Sequence, residues 1–240
     1  MVPEVNVLRA PGAINNYSQL ENVTRELLPD FEKIFEEKGF KLISWGEAGE
    51  YRYFSREPIQ KPDDIKRMRP WLWPQSPVMQ EMWKAIGATP VPLPMPEVFG
   101  ALQTRMVDVV ESTSLQYVAL QWQSAGQKYV TKEANGMLMG AWVMNKSTFD
   151  GLKPELQQKI VSLARANGQR ESLRNRETDQ ASLKRLVDRK YVVTDYSPEG
   201  QVAFTKIRAD VRKRLIGRVY PETLLNRVME LSQPQLTKAK

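Results

Sequence analysis

Apolar positions recur along this chain with two periods, and each change of period marks a helix giving way to a strand. From 18 to 38, "SQLENVTRELLPDFEKIFEEK", the residues Leu20, Val23, Leu27, Phe31, Ile34 and Phe35 form one stripe at helical spacing. Ser18 and Glu21 have the spacing of a capping box, and Pro29 predicts a kink or a break into two helices. "FKLISWG" and "GEYRYFS" then read as two strands. A proline-rich connection leads to "WLW", a very short strand closed by Pro74. "SPVMQEMWKAIGA" predicts a helix with Ser76 as cap, Pro77 in its first turn and Gly87 at its end. Pro90, Pro92, Pro94 and Pro96 force extended backbone. After them come a short helix, "PEVFGALQTR", and a strand, "MVDVVES", with Asp108 set in an apolar patch.

Further on, "SLQYVALQWQSAGQK" predicts a helix and "KYVTKE" a short strand. "MLMGAWVMN" is apolar on both faces, which predicts a central, buried strand. Residues 153–189 start near Pro154 and contain almost nothing but Gly168 to interrupt a helix. At about 1.5 Å per residue such a helix is roughly 55 Å long, wider than a small domain, so it is expected to bridge two lobes. "KYVVTDYS" predicts a strand, Pro198 to about Gly217 a helix, and a last short helix follows Pro221. Alternating short strands and helices make the chain α/β.

Composition narrows the chemistry. The 240 residues contain no cysteine and no histidine. Disulfides, thiolate nucleophiles, imidazole metal sites and every histidine-based triad are thereby excluded. No apolar run reaches the roughly 20 residues of a membrane span. The first residues carry no basic-then-apolar leader, so a secretory signal is expected to be removed or absent. The net charge of +7 reads either as an anionic partner or as a solvated basic surface. Because the basic residues of "RESLRNRETDQASLKRLVDRK" and "KIRADVRKRLIGR" alternate with acids, they read as helix exteriors and not as a nucleic-acid arm. Glu97 and Glu111 are a pair of acids with no nucleophile placed beside them, so no enzyme, and no cofactor, is expected.

The passages "KPDDIKRMRPWLWPQSPVMQEMWKAIGATPVPLPMPEVFGALQTRMVDVVES" and "GAWVMNKSTFDGLKPELQQKIV" carry a family resemblance. The chain resembles the solute-binding subunits of tripartite ATP-independent periplasmic (TRAP) transporters over nearly its whole length. "EVFGALQTRMVD" is the most specific part. The resemblance implies a two-lobed, periplasmic-binding-protein-like α/β fold with a long lobe-spanning helix. It implies a small ligand, a carboxylate, held unchanged in the cleft, and membrane permease subunits as partners.

The expected division places 1–49 and 138–175 in the first lobe and 50–137 and 186–218 in the second. Residues 153–189 span both, and 219–240 form a C-terminal helix and tail. Family members begin with a strand-helix unit that has no counterpart here, so the first lobe is expected to be incomplete. The apolar faces of "FKLISW" and "MLMGAWVM" would then be exposed, offering a surface for homo-oligomers. A remnant acting only as an interaction protein is the alternative.

The resemblance also implies site residues. Arg52 matches a family arginine near the hinge and reads either as a cleft cation or as a surface arginine on an edge strand. Trp71 stands where the family places a carboxylate-binding arginine on a short strand, with Arg69 two residues earlier. It reads either as an aromatic wall of the cleft or as lobe core, whereas Trp73 is expected in the core. Met95 matches an apolar cleft residue, and Glu111 and Ser112 are expected at the cleft mouth, with Asp108 on the strand leading to it.

Overall fold

The computed structural model describes residues 2–233; the last seven residues of the expected 219–240 segment lie outside the described part. A 3-10 turn at Pro3–Arg9 is followed by helices α1 (Tyr17–Glu26) and α2 (Leu28–Glu37). The expected stripe is the buried one: Leu20, Val23, Leu27, Phe31 and Phe35 all face the core. The break falls at Leu27, and Pro29 sits in the first turn of α2, where its missing N–H is not needed. The cap of α1 is Asn16 and not Ser18. The Asn16 side chain accepts from the Gln19 N–H, and Ser18 is already inside the helix.

The two strands read at 40–55 are one. β1 (Phe40–Ser55) runs sixteen residues, about 53 Å at ~3.3 Å per residue. Its glycines do not end it. Instead the pairing register shifts between Glu47 and Glu50, and Gly49 takes a φ of +107° there. As far as Tyr51, β1 pairs antiparallel with β6 (Gly136–Asn145). From Arg52 onward it pairs with β4 (Val109–Ser112), and its last two residues also pair with β5 (Tyr129–Thr131). β7 (Val192–Thr194) adds in parallel to β5. β2 (Trp71–Leu72) and β3 (Val91–Pro92) form a separate parallel pair, bridged to β4 through Pro70 and Val109. One strand therefore serves two sheets and changes partner between Tyr51 and Arg52.

The second sheet carries α3 (Pro62–Lys66), α4 (Pro77–Ile86), α5 (Val98–Gln103) and α6 (Ser114–Ala119). Its core is aromatic: Tyr53, Phe54, Trp83, Tyr117 and Trp122 are buried, with Phe54 stacked on Tyr117 at 3.9 Å between ring centroids. After β6 come α7 (Lys146–Asp150) and the long helix α8 (Pro154–Asp188), then α9 (Pro198–Leu215) and α10 (Glu222–Leu231). The 35 residues of α8 measure about 52 Å at ~1.5 Å per residue, the same span as β1. α8 packs along β1 and then on α6, so it accompanies the strand through the change of partner.

Two expectations are corrected here. β6 is not central: no further strand pairs with it among the described residues, and Trp142 and Val143 are 56% and 44% exposed. Among the described residues β6 pairs only with the first part of β1. The "FKLISW" face, by contrast, is covered. Leu42 and Ile43 are buried, and Trp45 meets Phe31 and Phe35 of α2 edge-on at 5.3 and 6.1 Å. Asp108 precedes β4, where its carboxylate accepts from the Arg69 main-chain N–H (3.2 Å) and Nε (2.9 Å) and faces Arg56. The acid in the apolar patch is a tie between chain segments.

Close approach of α8 to β1 depends on Gly168. A Cβ there would lie 2.5 Å from Ser44 Oγ and 2.8 Å from the Trp45 carbonyl oxygen. The hydroxyl can rotate away, but the carbonyl belongs to the strand. Gly168→Ala is expected to lower stability by about 1–3 kcal/mol, read as a lower urea midpoint. An unchanged or higher midpoint would show that the helix is not held against the strand at this point.

Candidate ligand-binding site

The change of partner in β1 fixes the geometry of the site. Arg52 lies opposite Ser112 and Tyr53 opposite Glu111. Opposed residues share a face and successive ones alternate. Arg52 and Ser112 therefore lie on one side of the sheet, and Tyr51, Tyr53 and Glu111 on the other.

On the first side most polar groups find protein partners, although Arg52 Nε is buried without one. The Arg52 guanidinium donates to the carbonyls of Thr131 (3.2 Å) and Lys132 and to the Glu50 carboxylate. Ser112 Oγ donates to Gln116 Oε1 at 3.1 Å, and Gln116 Nε2 reaches Met95 Sδ at 3.7 Å. Asp179 of α8 closes this side. It accepts from the main-chain N–H groups of Leu115 (2.7 Å) and Glu50 (3.3 Å), joining α8, α6 and β1. Burial raises its carboxyl pKa, and these two hydrogen bonds pull the other way.

On the second side charges are buried with polar capacity left over. Arg9 Nη2 is 3.6 Å from Glu111 Oε2, beyond hydrogen-bond length. The Arg9 guanidinium lies 4.6 Å from the Tyr51 ring centroid, and its Nε is buried without a partner. Arg208 is fully committed, donating to Glu133 at 2.6 Å and to Asn135 Oδ1 at 3.0 Å. Tyr196 also donates to Asn135 Oδ1, at 3.2 Å, which leaves Asn135 Nδ2 buried and unpaired. These groups, with Met79, Met82 and Met137, line a cavity of about 20 Å³, room for a water molecule. Burial pushes the Glu111 carboxyl above its usual range, against the pull of Arg9 and Arg208.

The structure thus sets Arg52 opposite Ser112, which links through Gln116 to Met95, and sets Glu111 on the opposite face. Trp71 joins neither. It is 2% exposed, its Nε1 donates to the Leu93 carbonyl at 2.9 Å, and its ring meets Trp122 edge-on at 5.5 Å. This is lobe core. Trp73, expected in the core, is the exposed one, at 38%. A larger open groove of about 270 Å³ lies between α1, β1 and α8. Its arginines, Arg165 and Arg176, are already paired to Glu32 and Glu21 at 2.6 Å each. Among the described residues no group of side chains is arranged to hold a metal ion, and no helix is long and apolar enough to cross a membrane.

Three residues of the second side, Arg9, Asn135 and Arg208, were not singled out by the sequence. For Arg208 there was a signal. Phe204, Arg208, Val211 and Leu215 fall on one face of α9, and all four are buried. A charge on that stripe contradicts a helix exterior.

Comparisons with known proteins agree with this architecture. The family model for bacterial extracellular solute-binding protein, family 7 (DctP), matches residues 1–217. An uncharacterized protein of Haemophilus influenzae is 32% identical over 96% of this chain and 70% of its own length. The ectoine-binding periplasmic protein TeaA of Halomonas elongata is 33% identical over 57% of this chain, and the match spans 39% of TeaA. A TRAP periplasmic solute-binding protein from Ralstonia eutropha, solved with bound (S)-2-acetolactate, superposes with a TM-score of 0.85 at 23% identity. That match covers 97% of this chain and 75% of the other.

Asp179 makes the junction sensitive to pH. A carboxyl whose pKa is raised by folding binds its proton more tightly in the folded state. Folding is then favoured as pH falls from above the raised value toward the unfolded value of about 4. Asp179→Asn keeps an acceptor oxygen and removes the titration. It is expected to show a smaller loss of Tm between pH 5 and pH 8 than the unsubstituted protein, measured by thermal melts across that range. Parallel Tm profiles for the two proteins would contradict the assignment.

Proposed function

The chain belongs to bacterial extracellular solute-binding protein family 7, the DctP family of transport components, and on that premise we propose that it is the ligand-binding body of a periplasmic solute receptor. It holds a small organic acid where its two lobes meet, does no chemistry on it, and hands it to membrane permease subunits. The reading is supported above all by a cavity lined with charged and polar side chains. Arg9, Glu111 and Asn135 surround one cavity at the point where β1 passes from the first sheet to the second.

A cavity of about 20 Å³ is smaller than any organic acid, so a ligand is admitted only when the walls part. The wall formed by Arg9 and Pro11 belongs to the N-terminal segment, and the facing wall belongs to α4, β4 and α9. Bending at the β1 changeover separates them. Arg52 acts from the other face of the strand, tying β1 to the chain beyond β5. It is a positioning residue for the hinge, with Ser112 and Met95 packed beside it.

A thermal-shift panel of short mono- and dicarboxylic acids tests this. At least one acid is expected to raise Tm, since a ligand at 100 times its Kd stabilises by about 2.7 kcal/mol. Arg52→Ala is expected to weaken that response while leaving a cooperative melt. The absence of any shift at millimolar concentrations across the panel would refute the receptor reading.

A further inference from the structure

The ribbon formed by β1 and β6 has two outer edges, and the fold treats them differently. Along the β1 edge α8 supplies partners. Arg165 donates to the Ile43 carbonyl at 3.4 Å and Asn175 to the Glu47 carbonyl at 2.8 Å. Between them the Trp45 carbonyl abuts Gly168. Along the β6 edge, no strand and no side chain among the described residues bonds to the main chain. Opposed residues of an antiparallel pair turn their main-chain groups either toward each other or both away. Met139 and Ala141 oppose Glu47 and Trp45, so their N–H and C=O groups point outward. Exposed edges are ordinarily blunted by charge, proline, a bulge or shortness. β6 has none of these. It is ten residues without charge or proline, GMLMGAWVMN, and the extra residue at each register shift belongs to β1. The edge strand of the other sheet, β7, is only three residues long.

We propose that the β6 edge is the interface of a homodimer, in which two copies pair antiparallel about a twofold axis at Ala141. The strand is self-complementary in that register. Ala141 exchanges hydrogen bonds with Ala141 of the second copy, and Met139 with Val143 of the second copy. Trp142 lies opposite Gly140 of the second copy, where an aromatic ring covers a glycine that has no side chain to pack. Gly140 borders an open groove of about 470 Å³ between β6 and α8, so the incoming ring has room. The two exposed large apolar side chains of β6, Trp142 and Val143, are thereby both covered. Charge raises no barrier. Lys132 and Glu133 precede the strand, and Lys146 and Asp150 follow it. Each end therefore presents both signs to the opposite end of the second copy. A twofold interface needs one patch that fits itself, and the order Gly140, Ala141, Trp142 supplies it by setting large against small on both sides of the axis.

The chain's lack of cysteine makes the register directly testable. Ala141→Cys sets two thiols opposite each other with Cα atoms about 5.5 Å apart, within the reach of a disulfide. Under oxidised glutathione this variant is expected to cross-link to a dimer on non-reducing gels. Asn145→Cys, at the exposed end of the same strand, lies beside the far end of the second copy's strand and is expected to stay uncross-linked. Sedimentation of the unsubstituted 240-residue chain is expected to give twice the chain mass at micromolar concentration. Ala141→Pro removes only an outward N–H, which an edge strand tolerates, and is expected to sediment as a folded monomer. If Ala141→Pro does not fold, Val143→Lys, which puts a charge on the edge, makes the same comparison. A monomer at every concentration overturns the proposal, and slow amide exchange at Ala141 and Val143 in that monomer would assign the edge to a different strand. Equal cross-linking of the two cysteine variants, or a dimer that survives the edge substitutions, overturns the β6 interface.

Discussion

A single extended strand that changes neighbours halfway is the constraint on which this molecule rests. β1 gives its first part to β6 and its last four residues to β4. A helix can follow a strand of this length only by using more than twice as many residues, since the rises are about 1.5 and ~3.3 Å. The 35 residues of α8 meet that requirement against the sixteen of β1. The two are then pinned where side chains would otherwise hold them apart. Gly168 lets the helix backbone approach Ser44 and Trp45, and Gly49 lets the Asp179 carboxylate reach the strand. The change of partner falls between Tyr51, paired with Gly136, and Arg52, paired with Ser112.

That junction also explains where charge is buried. Burying an ion pair seldom adds stability over an apolar pair of similar size. The second side of β1 nevertheless buries Arg208 and most of the Arg9 and Glu111 side chains. On the first side Arg52 and Asp179 are consumed in joining β1, β5, α6 and α8. The second side leaves Arg9 Nε and Asn135 Nδ2 without protein partners, as the first side leaves Arg52 Nε.

Much of the fold was legible from periodicity. The stripe through α1 and α2, the break before Pro29 and the extent of α8 follow from local rules. What escaped was set by distant contacts. Glycines at 46 and 49 read as a strand end, yet the ladder to β6 absorbs them as a bulge. The apolar β6 read as central, since a strand records its own hydrophobicity and not how many neighbours it has. Arg52, Ser112 and Glu111 were singled out through family resemblance, and strand alternation sorts them onto two faces. Trp71 stayed open between cleft wall and core, and Trp73 was expected in the core yet is exposed, because a two-residue strand carries no pattern that tells core from surface. Arg9 was missed because its partner Glu111 lies about a hundred residues away in sequence.

The central claim is that a small acid is grasped by separate elements that meet at the β1 junction. Amide hydrogen exchange, with and without a saturating short carboxylic acid, tests this most directly. The account predicts that protection rises together around residues 9–12, 51–53, 78–82 and 134–137, which lie on separate elements around one cavity. Protection confined to the open groove between α1 and α8, or to one wall of the cavity, would contradict it.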